Sequence, residues 1–151
     1  MQDTPQTKAA DPARQVRIGI DAGYVDLRVD GQLLLVEVVG AAGVAQVREA
    51  LATGRQAGWL GAAMPTLVDL SQFSGNVDWG ELHTISRMAD WPPTDGRSLP
   101  VAYVSDATLF ALLMKLVQVF FPWARHRAFS RRDWALDWLR EQCSAPQAGH
   151  A

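Results

Sequence analysis

Apolar and polar positions alternate through residues 16–39 in a pattern that predicts three strands. Val16, Ile18 and Ile20 stand against Arg17, Gly19 and Asp21, the two-residue period of a half-buried strand. After a turn at Ala22-Gly23 the alternation resumes over Tyr24–Asp30, with Val25, Leu27 and Val29 on one face. Asp30-Gly31 is a hairpin signal, because its glycine can take positive φ. Leu33–Val39 is nearly continuous in apolar, largely β-branched residues, which predicts a central strand.

From there the period lengthens and strands alternate with helices. Gly43–Gly58 reads as a helix with Val44, Val47, Ala50 and Leu51 inward and Gly58 just past its end. Thr66–Leu70 is a short strand that empties into a polar turn. Asp78 and Glu81 have the spacing of a capping box, and Trp79, Leu82, Ile85 and Met88 or Ala89 form the inward stripe of the helix they open. Pro92-Pro93 stops it. Pro100–Ser105 is a buried strand, Ala107–Phe121 a third helix and Arg125–Phe129 a last strand. Ser130 is placed to cap a fourth helix, with Asp133 in its first turn and Phe129 and Trp134 as a hydrophobic staple. Trp134, Trp138 and Leu139 share a flank that should dock on the sheet. The order β-β-β-α-β-α-β-α-β-α predicts an α/β fold. Its sheet is mixed and mostly parallel, with an N-terminal antiparallel hairpin and about four helices. Residues 15–143 form one domain between disordered tails at 1–14 and 144–151.

Composition narrows the function classes. With 48% hydrophobic and 20% charged residues, the 151-residue chain is not globally disordered. A net charge of −2 argues against a nucleic-acid partner. The single cysteine, Cys143, excludes an intrachain disulfide and a cysteine-rich zinc site, and suits a cytoplasmic location. The first residues lack the apolar core of a signal peptide. The most apolar run, Leu109–Phe121, falls short of the roughly 20 residues that cross a bilayer, so no transmembrane segment is expected.

The element order, Leu67-Val68-Asp69-Leu70-Ser71, and Phe129-Ser130 followed by Asp133–Leu139 together resemble the STAS domain superfamily. They are most similar to its SpoIIAA-like members, over roughly residues 16 to 142. The resemblance implies a SpoIIAA-like fold, a protein-binding or regulatory role, and a fold similar to that of lipid-carrier domains. It also marks a departure. The antagonists of that superfamily carry an Asp-Ser-Ser-Gly segment whose serine is phosphorylated, where this chain reads Asn76-Val77-Asp78-Trp79-Gly80. No phosphoserine switch is expected there, although Ser71 and Ser74 lie just upstream. Asp78 is read either as a helix cap or as an imitation of phosphoserine.

Catalytic chemistry is sparse. The chain has no Gly-x-Gly-x-x-Gly, P-loop or Gly-x-Ser-x-Gly motif, and its three histidines lack helical metal-site spacing. No catalytic residue, metal or cofactor is assigned. Asp69 and Asp78 are the carboxylates that the turn after the fourth strand would have to pair for acid/base work. Arg125, Arg127, Arg131 and Arg132, beside Phe120-Phe121-Pro122-Trp123, read as a solvated face or as an anion-binding or headgroup-level patch. The third helix is apolar over well more than the ~100° that a helix on a sheet needs. Leu113 and Val117 face the sheet, while Phe110, Met114 and Phe121 form a shoulder that either packs on a neighbouring helix or lines a pocket or homodimer surface. With Asp69, Ser71 and Asp78, these three make the candidate ligand or partner surface. The expected function is a non-enzymatic STAS-like module for a protein partner or small apolar ligand. A lipid- or membrane-surface-binding domain is the alternative, and an enzyme using Asp69 and Asp78 comes third.

Overall fold

The computed structural model describes residues 14–60, 64–87, 98–106, 114–115 and 117–144. The early alternation becomes a meander of β1 (Gln15–Ile20), β2 (Gly23–Asp30) and β3 (Leu33–Gly40), paired antiparallel. Asp30 faces Leu33 across the predicted turn, and Gly31 has a φ of 63°. Strands β4 (Thr66–Phe73), β5 (Leu99–Val104) and β6 (Ala124–Phe129) extend the sheet in parallel, so its spatial order is the chain order.

That order decides where the helices go. Crossovers of one hand that always step the same way leave their helices on one face of the sheet. Helices α1 (Val44–Ala57), α2 (Trp79–Ser86) and α3 (described at residues 114–115 and 117–120) accordingly contribute to one core with the odd residues of β2 and β5 and the even residues of β3. Helix α4 (Arg132–Ser144), the last described element, covers the opposite face. There Ala135 and Leu139 are fully buried on Leu35, Leu67, Ala102 and Val104.

Local signals account for most helix ends. Gly58 caps α1 with a φ of 86° and gives its N–H to the Arg55 carbonyl. Asp78 caps α2, its Oδ1 accepting the Glu81 N–H at 3.1 Å. The box is not closed in return. The Glu81 carboxylate turns instead to Arg48 of α1, 2.7 Å away, and this raises the Arg48 pKa. Helix α2 spans Trp79–Ser86, and Met88 and Ala89, predicted to continue its stripe, lie outside the described residues. Phe110, Leu113 and, apart from Arg14 and Ser144, the predicted tails also lie outside them. Ser144 is the last residue of α4 rather than part of a tail.

Two expectations for α4 change. The helix starts at Arg132, past Ser130, and it is Asp133 Oδ1 that accepts the Trp134 N–H at 3.0 Å. Trp134 is 51% exposed beneath the Arg131 guanidinium, so it neither docks on the sheet nor staples onto the core. Ala135 and Leu139, four apart, are the buried pair; Leu136 and the half-buried Trp138 pack beside them, Trp138 against Phe129.

Strand β4 runs three residues beyond its predicted end at Leu70. Between β3 and β4 the register goes from Glu37 opposite Asp69 to Val39 opposite Gln72, so β4 carries one extra residue. The bulge breaks the alternation and leaves both Leu70 and Phe73 packed against the three-helix core.

Candidate functional site

Between the sheet and its three-helix layer lies a cavity of about 160 Å³. Val36, Val68 and Val101 rise into it from β3, β4 and β5, because alternate residues of a strand share a face. Leu51 of α1, Ile85 of α2 and Val117 of α3 line it from the helix side. Phe121, buried at the end of α3, lines it as well. It stands edge-on to Trp123, with centroids 5.7 Å apart and planes at 90°. Of the shoulder predicted on this helix, Phe121 thus reaches a pocket, and the half-buried Met114 packs against the same core.

Side chains with polar atoms enter the described part of the wall at Thr66, Tyr103, Trp123 and His126. The Thr66 hydroxyl donates to the Met64 carbonyl at 2.7 Å. The Tyr103 Oη lies 2.9 Å from His126 Nδ1, and His126 Nε2 lies 2.9 Å from the Phe121 carbonyl oxygen. A carbonyl only accepts, so Nε2 carries the imidazole proton and Nδ1 accepts from the tyrosine. Burial lowers the His126 pKa, with the Phe121 hydrogen bond opposing it in part, and burial raises that of Tyr103. Both shifts favour the neutral forms. Tyr103 carries no motif, and the register that brings it to His126 joins strands over twenty residues apart.

No family model and no curated protein matches this chain by sequence. Structure does find a neighbour. An uncharacterised DUF3478-family protein from Shewanella loihica PV-4, whose crystal structure has a SpoIIAA-like fold, superposes with a TM-score of 0.52 at 17% identity. The match covers 80% of this chain and 96% of that one. The fold is SpoIIAA-like.

Within this SpoIIAA-like frame the predicted carboxylates are separated. Asp69 shares its sheet face with Leu67, under α4, whereas Asp78 caps a helix on the opposite face. They do not form a pair. Asp69 Oδ1 takes the Ser71 N–H at 3.0 Å and the Ser71 hydroxyl at 2.7 Å, and Oδ2 takes Arg132 Nη1 at 2.8 Å. Burial alone would raise its pKa, but the Ser71 and Arg132 hydrogen bonds outweigh that and hold it below the usual range. The carboxylate satisfies an N–H at the bulge and ties β4 to the start of α4. Ser71 is exposed, with its hydroxyl given to Asp69.

The four arginines each have a local contact. Arg131 pairs with Asp133 at 2.7 Å, Arg132 with Asp69, and Arg125 with Gln142, while Arg127 lies 5.3 Å over the Phe129 ring. Cys143 is half-buried, which raises its pKa. Among the described residues no cluster of histidine, cysteine and carboxylate groups is arranged to hold a metal ion. No helix among them is long and apolar enough to cross a membrane.

Proposed function

We propose that this SpoIIAA-like protein is a non-enzymatic, STAS-like module that takes a small apolar ligand into the cavity beneath α1, α2 and α3. The observation that carries this reading is the cavity itself. It is apolar, about 160 Å³ in volume, and walled by side chains from all three helices and the sheet. Native interiors are packed with few voids larger than a water molecule, so an apolar, partly open pocket of this size between sheet and helices is a place where packing leaves room for a guest. An apolar cavity of about 150 Å³ is known to stay dry and to admit benzene. That volume suits a ring-sized molecule, and a diacyl lipid would require the helices to part. The non-enzymatic part of the reading is supported by the employment of Asp69 in an ion pair and of Asp78 in a cap.

Thermal unfolding with benzene, phenol and indole at millimolar concentration tests the proposal. Binding to the native state alone should raise Tm with ligand concentration and shift the methyl resonances of Val36 and Val68. No shift in either observable with any of the three ligands would sink it.

The membrane-surface alternative has one observation of its own, Trp134 half-exposed beside Arg131, with Arg127 exposed on the neighbouring strand. Flotation with anionic vesicles that is lost in Trp134→Ala would favour it.

A further inference from the structure

The described wall of the cavity carries a hydrogen-bonded tyrosine–histidine pair, and that pair has a direction. His126 Nε2 donates to the Phe121 carbonyl, which leaves Nδ1 to accept the Tyr103 proton at 2.9 Å. The Tyr103 donor is thereby committed, while its oxygen keeps a lone pair that can accept a further hydrogen bond. Thr66 is committed in the same sense, its proton lying on the Met64 carbonyl. Tyr103 and His126 both stand in the cavity wall, on strand positions that face the three-helix layer. No Lys, Arg, Asp or Glu lines the cavity among the described residues.

Among the described residues a guest anion would therefore find no cation to receive it, and its desolvation is costly. At the Tyr103 oxygen, a guest whose only polar group is a carbonyl would meet an acceptor where it needs a donor. A guest hydroxyl would find its partner. Resting on the proposed ligand-binding role, we propose that the cavity selects an uncharged, ring-sized alcohol or phenol, and that Tyr103 Oη is the atom that accepts the ligand hydroxyl. Tyr103 sets the polarity of the site, and His126 is a positioning residue that turns the tyrosine proton away from the guest.

The test uses the whole chain with three guests of matched size: phenol, benzaldehyde and benzoate. Calorimetry or ligand-observed NMR should find phenol bound roughly tenfold more tightly than benzaldehyde, the order of one net hydrogen bond. Benzoate should not bind detectably at neutral pH. His126→Leu frees the tyrosine proton and should narrow the phenol–benzaldehyde gap by strengthening benzaldehyde. Should that variant fail to fold, ¹⁵N shifts of the wild-type imidazole test the same premise, because Nε2 must carry the proton and Nδ1 must not. Equal binding of phenol and benzaldehyde, or a preference for benzoate, would overturn the selectivity while leaving the binding role standing. A proton on Nδ1 would also overturn it. If none of the guests binds, the role and the selectivity fall together.

Discussion

At the scale of single residues, His126 has the environment that departs furthest from what its neighbours in sequence suggest. It lies on a strand between two arginines, yet its ring turns inward to Tyr103 and the Phe121 carbonyl. Its pKa is lowered, so the linkage has a definite sign. The unfolded imidazole titrates near about 6.5 and the folded one below that. Between those values the unfolded chain holds a proton that the native state refuses. Stability from this residue is therefore full above about pH 6.5 and is lost as the pH falls through the folded value. Urea midpoints between about pH 5 and 7 should decline toward acid, and His126→Gln should flatten that decline. An unchanged slope would place the imidazole in solvent. Asp69 acts in a separate window, being lowered, and its contribution disappears only in stronger acid. Asp78 shows what a residue-level reading captures well, since capping depends on atoms three residues away. Glu81 shows its limit: the spacing offered a reciprocal cap, and an arginine from another helix gave its carboxylate a closer, charged partner.

For elements, the contrast lies within α4. Its sequence carries four large apolar residues, Trp134, Leu136, Trp138 and Leu139, and their spacing alone does not say which edge of the stripe meets the sheet. Docking centred on Ala135 and Leu139 leaves Trp134 out and Trp138 at the margin. The small Ala135 allows close approach where a tryptophan would hold the helix off. Trp134→Ala should then change stability by no more than about 0.5 kcal/mol, as surface substitutions usually do. Trp138→Ala should cost about 1–3 kcal/mol and Leu139→Ala about 2–5 kcal/mol. Urea denaturation of the three variants checks the ranking, and a loss at Trp134 equal to that at Leu139 would refute this docking. The β4 bulge belongs to the same scale. It lets a strand that had run out of alternating pattern continue, and Asp69 satisfies an N–H in the disturbed stretch.

At the scale of the whole molecule, six strands in chain order put three helices on one face and one on the other, and the cavity forms under the larger layer. Three helices set by separate crossovers need not meet the sheet with side chains of matched length. Valines and leucines line much of the gap, and the remaining space is the size of a ring. Adding a methylene at its wall should fill part of it. Val68→Ile is expected to raise stability by about 0.5–1.5 kcal/mol while shrinking the Tm response to phenol. A destabilised Val68→Ile with an undiminished ligand response would show that the residue faces a packed region.

The pattern of apolar positions determined the strands, the helices and their order, because each rests on a period of two or 3.6 residues and on turn chemistry a few residues long. It thereby determined the fold class, and short motifs in it already resembled SpoIIAA-like proteins. It also placed Phe121 on a shoulder of its helix with more apolar surface than a sheet contact requires. The faces were decided elsewhere. Whether Asp69 and Asp78 meet depends on which side of the sheet each element occupies, and they occupy opposite sides. Tyr103 meets His126 only because β5 and β6 pair in one particular parallel register, a contact between residues 23 apart that no local period encodes. A cavity is still less local: it is the space left when six strands and three helices pack at once, and no single segment contains it.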